Sequence, residues 1–388
     1  MFDYIVVGAG FAGSVLAERI ASQTQRKVLV IEKRNHIGGN AFDSFDQKGI
    51  LIHNYGPHIF HTKMEKVWDY LSKFTSWINY HHEVLGLIDG QKVPIPFNIN
   101  SIHQVFPGTI AETLEKKLIN TFGYNKKVPI LKLKESDDED LKFLAEYIYD
   151  KVFLGYTLKQ WGITPEELDP SVTGRVPVYI SKDNRYFQDP YQGMPKEGYT
   201  KIFENMLFNK NIKVMLNTDY KEVIKIDFDT GEIKLFNNIF KGKLIYTGAL
   251  DYFLDYKYGK LPYRSLQFLF EQFDSDLIQE VGTINYPSDY NYTRVTEFKH
   301  LTRQVASSTT IVKEFSQDYV PGKNEPYYPI KNDSNQELYR KYKDEVRNMN
   351  NIILIGRLAE YQYYDMDMVI AKALKIFDEK ILPEGKME

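Results

Sequence analysis

Apolar positions open the chain in two short runs, Phe2 to Val7 (interrupted only by Asp3) and Lys27 to Ile31 (apolar throughout after Lys27), with a helically spaced segment from Ser14 to Ala21 between them. Short continuous apolar runs bounded by turn formers read as strands buried on both faces, the habit of a parallel sheet covered by helices. The turn joining the first strand to the helix is Gly8-Ala9-Gly10-Phe11-Ala12-Gly13. This G-x-G-x-x-G stands in its required context, strand before and helix after. Gly8 permits the tight turn, Gly10 lets backbone approach a pyrophosphate, and Gly13 lets helix and strand pack closely. Glu32 ends the second strand 19 positions past Gly13, where an acid accepts hydrogen bonds from a ribose.

Beyond Glu32, Lys33-Arg34 and Gly38-Gly39-Asn40 suit a loop bending over a bound cofactor, a feature that tilts the cofactor toward FAD. Helical periodicity follows at Met64 to Phe74, Thr109 to Phe122, and from the acidic run Glu135–Asp140 onward to Gly162. Glu83 to Phe97 reads as a hairpin turning at Asp89-Gly90, with Pro94 and Pro96 fit for a sheet edge. Tyr199 to Leu207 reads as a helix. Lys213 to Leu216, Tyr220 to Ile226, Glu232 to Phe236, and segments between Arg264 and Asn285 read as strands. So does Lys243 to Thr247-Gly248, whose small end suits a sheet returning beside a diphosphate. Tyr292 to Phe298 alternates as a strand with Tyr292, Arg294, Thr296 and Phe298 on one face. There Arg294 is either a sheet-edge solubiliser or an anion contact. Arg175, beside Gly174 in a loop, is either a solvated arginine or an arm that swings over an anionic ligand. Asp318 to Ser334 is a proline-punctuated connector. A helix from Gln336 to Val346, a buried strand closing in Gly356-Arg357 and a terminal helix after Tyr361 complete the chain. A helix N-terminus there can point at a flavin.

At 388 residues the chain is too long for one typical core. The expected class is α/β: a Rossmann-like FAD-binding domain with a helical insertion and an antiparallel β-sheet substrate domain. The FAD-binding domain opens over 1–75, and a sheet segment covers 76–105. A mainly helical substrate-capping insertion covers 106–180, with a mobile loop near 170–180. Sheet and FAD-domain return occupy 181–240, an FAD-domain strand plus antiparallel sheet 241–330, and the closing strand and helix 331–388. A net charge of −3 argues against nucleic acid as a partner, and the lack of cysteine excludes disulfides and thiolate catalysis. No apolar run approaches the roughly 18–20 residues of a membrane span, the N-terminus has no signal-peptide pattern, and the cytoplasm is the expected location. The 29 tyrosines and 24 phenylalanines suffice for both a core and an aromatic-walled pocket. His58 and His61, three apart without further ligands, do not read as a metal site. With no Ser-His-Asp signature, P-loop or metal cluster, the chemistry falls to the cofactor.

Taken together, Gly8–Gly13, Ile37–Asn40, Tyr55–Thr62, Leu158–Trp161, Thr173–Pro177, Asn184–Phe187, Tyr292–Phe298, Pro326–Pro329 and Tyr364–Asp367 resemble the bacterial UDP-galactopyranose mutase family over almost the whole chain. The resemblance implies an FAD enzyme, active when reduced, that interconverts UDP-galactopyranose and UDP-galactofuranose without net redox change. It implies flavin N5 as the nucleophile, a flavin–sugar iminium, and UDP as leaving and returning group. It assigns Arg175 and Arg294 to the diphosphate, aided by Tyr186, Tyr328 and Tyr363. Phe153, Tyr156, Thr157 and Trp161 go to the uridine, and His58 and Asp365 to the flavin and sugar. Arg264 and Arg357 are placed near diphosphate and flavin. His82 stands where relatives often have asparagine, on the sugar side. The cofactor set is Gly8, Gly10, Phe11, Ala12, Gly13, Glu32, Lys33, Gly39, Asn40, His58, Ile59, Val223, Thr247, Gly248, Gly356, Arg357, Asp365 and Met366. A homodimer supplying galactofuranose for cell-surface polysaccharide is the implied setting. The rival readings are an FAD oxidoreductase of the amine-oxidase or desaturase type, which shares the N-terminal motif, and a non-catalytic sugar-nucleotide binder.

Overall fold

The computed structural model describes residues 2–167 and 177–383. The two opening apolar runs lie side by side as parallel strands, Tyr4–Val7 against Val28–Ile31. Three strands from far along the chain complete their sheet in the order Ile212–Met215, Val28–Ile31, Tyr4–Val7, Lys243–Tyr246, Ile352–Leu354, every pairing parallel. Side chains of the two central strands are buried on both faces, which is why they carry no polar residue. The helix Phe11–Thr24 covers one face with Tyr199–Leu207 and Met366–Ile376. A tyrosine-rich cluster around Tyr246, Phe253, Tyr342 and Tyr361 fills the other.

The chain between these strands builds a second, seven-stranded sheet. Its order is Tyr328–Pro329, Tyr263–Phe273, Thr309–Asp318, Arg294–Glu297, Thr283–Asn285, Val84–Ile88, Gln91–Ile95. It is antiparallel except where Thr283–Asn285 runs parallel to Val84–Ile88. The hairpin turns at Asp89 and Gly90, both at positive φ, and Pro94 sits in the outermost strand, where a missing donor breaks no ladder. A helical lobe, Ile99–Val105 to Gly155–Trp161, packs on this edge around Leu114, Leu118, Leu144 and Ile148. Within it, Tyr149–Leu154 forms a π-helical turn that leads into Gly155–Trp161. Such a widened turn re-aims the side chains that follow it. Among the described residues no helix is long and apolar enough to cross a membrane.

Three local expectations are corrected. Tyr220–Val223 is a helical turn, and only Ile224–Ile226 is a strand. The Asp219 side chain accepts the Lys221 N–H while Glu222 takes the Asp219 N–H, and this capping box outweighs the strand preference of tyrosine and valine. The strand around Arg294 ends at Glu297, and Phe298 begins the helix Phe298–Thr302. Phe298 therefore does not continue the Arg294 face; it is fully buried with Ile50, Ile52 and Val312. The ten-residue strand Thr309–Asp318 has no counterpart in the sequence reading. The loop 170–180 falls largely within residues 168–176, outside the described residues, and Arg175 with it.

Candidate functional site

A cavity of about 560 Å³ opens between the nucleotide sheet, the helical lobe and the seven-stranded sheet. Its walls include Asn40, His58, Ile59, His82, Phe153, Tyr156, Thr157, Trp161, Tyr186, Arg294, Tyr328, Arg357, Tyr363, Asp365 and Met366. Residues up to 326 positions apart in sequence are thus brought to one space.

One end is the glycine turn. Gly8 has φ +104°, and a Cβ there would sit 2.0 Å from Thr247 Oγ1. A Cβ on Gly13 would meet the Gly8 carbonyl oxygen at 2.0 Å, so this glycine is what lets helix and strand touch. The second loop folds back onto the turn, with the Gly38 N–H donating to the Ala9 carbonyl at 2.9 Å. Gly356, at φ +105°, packs against Ala12 and Thr247, and Gly248 lies over the Tyr246 ring. Gly10 behaves differently. Its backbone is extended, and a Cβ would meet only Gly39 Cα at 3.6 Å, an ordinary contact. The protein alone leaves room for a side chain there, and no side chain caps the helix that starts at Phe11. An open cradle beside an uncapped helix N-terminus is what a dinucleotide pyrophosphate requires, so these residues fit such a cofactor.

Glu32 lies buried at the end of its strand, its oxygens accepting the Ala9 and Arg34 N–H groups at 2.9 and 3.0 Å. A carboxylate has further lone pairs for ribose hydroxyls. Lys33 instead faces solvent and pairs with Glu325. The inward basic residue is Arg34, which donates to Asn40 Oδ1 at 3.0 Å, pairs with Glu325, and lies over the Tyr55 ring. Val223 packs beneath the sheet; the backbone that hydrogen-bonds around Glu32 and Arg34 belongs to Met215, Asn217 and Thr218.

Arg294 supplies the cavity with a braced cation. Glu314, directly opposite on the neighbouring strand, accepts from Arg294 Nε at 3.0 Å and lies 2.9 Å from Nη2. Burial alone would weaken the arginine cation, but Glu314, Tyr156 and Tyr328 raise its pKa above the ordinary value. Glu314 is buried and absent from the sequence reading. Trp161, Tyr328 and Tyr363 form an aromatic trio with ring centroids 5.2–5.8 Å apart, and Arg357 lies over both tyrosines. Gly162, left-handed at φ +71°, closes the helix that carries Tyr156, Thr157 and Trp161. Asp365 is the N-cap of Met366–Ile376, whose N-terminus lines the cavity.

Burial pushes the His58 ring down to about 3, with His53 and nearby arginines adding to the effect, so it is neutral at physiological pH. Its Nδ1 lies 2.8 Å from the Gly56 carbonyl, which fixes the ring proton there. Arg264 does not line the cavity. It donates to the Gln160 carbonyl at 2.9 Å and Ser316 Oγ at 3.1 Å and pairs with Asp318, stapling the sheet to the helix end. Lining residues that the sequence did not assign to the site include Lys127, Phe187 and the His61–Asp189 pair, whose polar atoms stand 2.6 Å apart. Among the described residues no group of three or more His, Asp or Glu is arranged to hold a metal.

A family model described as UDP-galactopyranose mutase matches residues 151–363, more than half of the chain. The chain belongs to the UDP-galactopyranose mutase family. A probable UDP-galactopyranose mutase of Klebsiella pneumoniae is 36% identical over 97% of this chain and 94% of its own length. The dTDP-fucopyranose mutase of Escherichia coli is also 36% identical, over 97% of both chains. A model of the NAD(P)-binding Rossmann-like domain matches residues 6–74. Among solved structures, a reduced UDP-galactopyranose mutase superposes with a TM-score of 0.73 at 17% identity, covering 97% of this chain and 93% of that one. A putrescine oxidase superposes at 0.60 and 12% identity over 100% and 99%. These structures show a shared fold, with a Rossmann-like domain and a largely antiparallel second sheet. One fold thus serves both a mutase and a putrescine oxidase.

Proposed function

We propose that this protein interconverts UDP-galactopyranose and UDP-galactofuranose, using FAD that must be reduced. Beyond family membership, the observation that carries this reading is Arg294, a cation braced by a buried carboxylate and facing an aromatic cavity beside the dinucleotide turn. A nucleotide sugar brings a diphosphate to meet it. An amine substrate, itself cationic, would be repelled.

Gly8, Gly10, Gly13, Gly39 and Glu32 hold the ADP half of the cofactor, with His58, Ile59, Arg357, Asp365 and Met366 at its flavin end. Bound reduced FAD supplies the nucleophilic nitrogen that no side chain offers. The remaining work belongs to the protein. Arg294, together with Arg175, stabilises the charge that develops on UDP as it leaves the anomeric carbon. Tyr186, Tyr328 and Tyr363 donate hydroxyls to the same phosphates. Phe153, Tyr156, Thr157 and Trp161 hold the uracil and exclude water. Neutral His58 orients the flavin edge without adding a charge.

The equal likeness to a dTDP-fucopyranose mutase supports a second substrate reading, in which base and sugar differ but the chemistry does not. Incubating dithionite-reduced holoenzyme with UDP-galactofuranose and, separately, dTDP-fucofuranose distinguishes the two by chromatography. The expected result is conversion of the UDP sugar with the higher kcat/KM. Preference for the dTDP sugar reassigns the substrate, and conversion of neither refutes the mutase reading.

A further inference from the structure

Tyr80 and His82 lie two residues apart on the segment entering the seven-stranded sheet, both buried, at 7% and 4% exposure. The Tyr80 hydroxyl is 3.0 Å from His82 Nδ1. Tyr80 also lines a separate outer cavity of about 610 Å³ with His81, Lys299 and Arg303, so this hydrogen bond spans the partition between two spaces. On the inner side His82 lines the central cavity, its ring stacked beside Phe187 and edge-on to Tyr186. Its Nε2 has no hydrogen-bond partner among the described residues and is not sealed from the cavity.

Burial pushes the His82 ring down to about 3, with Arg294 and His61 adding to the effect, so it is neutral and carries a single proton. Tyr80 stays a phenol, because burial and Glu83 raise its pKa. Two arrangements of the protons are possible. If Nδ1–H donated to Tyr80, the buried phenol proton would have no acceptor among the described residues. If Tyr80 donates to Nδ1, the phenol proton and Nδ1 are both paired, and the imidazole proton sits on Nε2, the nitrogen left without a partner among the described residues.

We propose that Tyr80 is a positioning residue: its hydroxyl donates to His82 Nδ1, so that His82 presents a fixed Nε2–H donor to a hydroxyl oxygen of the bound sugar. The sugar contact rests on the mutase reading of the cavity; the tautomer does not. A buried donor aimed at one point selects for a sugar bearing an acceptor there, since a deoxy sugar leaves the N–H unpaired.

Nitrogen NMR of the holoenzyme labelled in its histidines reads the tautomer without substrate. The expected result is Nε2 protonated and Nδ1 bare in the wild type, with a mixed population in Tyr80→Phe. Protonated Nδ1 in the wild type overturns the proposal. Kinetics then tests the consequence through a double-mutant cycle. Tyr80→Phe is expected to lower kcat/KM for UDP-galactofuranose by about tenfold while UDP affinity stays within about twofold. In His82→Asn, whose amide has its own donors, adding Tyr80→Phe is expected to cost nothing more. An equal loss with and without His82, or no loss in either background, overturns the positioning role. If the wild type converts no sugar nucleotide at all, the mutase reading falls while the tautomer result stands by itself.

Discussion

Arg294 and Glu314 stand directly opposite each other on adjacent strands, and one carboxylate oxygen, Oε2, takes both Nε and Nη2 of the arginine. The other oxygen, Oε1, is buried without a hydrogen-bond partner among the described residues. Nη1 of Arg294 makes no bond to the described residues, so the pairing aims the remaining face of the guanidinium into the cavity. The carboxylate both keeps the cation charged and fixes its direction.

Removing either partner therefore has distinct consequences. Arg294→Ala is expected to cost roughly 2–4 kcal/mol of transition-state stabilisation, as for other charged donors aimed at a leaving group. Glu314→Gln keeps the shape but leaves a half-buried cation unbalanced, and is expected to lower kcat/KM by about tenfold or more while reducing the unfolding midpoint. Steady-state kinetics with denaturant melts checks both. Near-normal kcat/KM in Arg294→Ala contradicts the diphosphate role.

The glycine turn separates fold from ligand. Gly13→Ala drives a methyl into the Gly8 carbonyl and is expected to destabilise the protein or prevent its folding. Gly10→Ala meets nothing closer than 3.6 Å and is expected to fold normally yet lose bound flavin. Purified yield, melting temperature and flavin-to-protein ratio separate the two outcomes. Full flavin occupancy in Gly10→Ala argues against cofactor approach at that backbone.

Much of the nucleotide-binding half is legible because its signals are local. Two apolar runs, a glycine turn and Glu32 all lie within 32 residues, and each obeys a short-range rule. The cavity is less legible because its residues meet only through long-range pairing. Glu314 shows this best: it sits in Thr-Thr-Ile-Val-Lys-Glu-Phe-Ser-Gln-Asp, where a buried glutamate between half-buried Lys313 and Phe315 inverts the apolar-in, polar-out alternation that marks a strand. Only the register opposite Arg294 explains a buried glutamate there. Arg264 runs the other way. The family resemblance places it near the diphosphate and flavin, but its donors are taken by Gln160, Ser316 and Asp318. Sequence spacing carries no record of which side a guanidinium turns to.

Buried neutral histidines impose a pH dependence. Burial holds His53, His58 and His82 down to about 3, against 6.5 ordinarily. Between those values the unfolded chain binds protons that the folded protein does not. Their stabilising contribution is complete above about pH 6.5 and is lost as pH falls toward 3. Each ring contributes at most about 1.4 kcal/mol per pH unit in that window. Urea unfolding between pH 7.5 and 5.5 is expected to show falling stability, with a shallower slope in His82→Asn. An unchanged slope in that variant contradicts the buried neutral state of His82.

The central claim is that a cofactor held by the glycine turn serves an isomerisation centred on the Arg294 cavity, with no electrons passing to the substrate. The most direct measurement follows the flavin spectrum of anaerobically reduced holoenzyme while UDP-galactofuranose is consumed in large excess. The expected result is conversion of many equivalents to UDP-galactopyranose with the flavin still reduced at the end, and no conversion by the oxidised enzyme. Reoxidation of one flavin per sugar consumed, or equal turnover by oxidised enzyme, would contradict it.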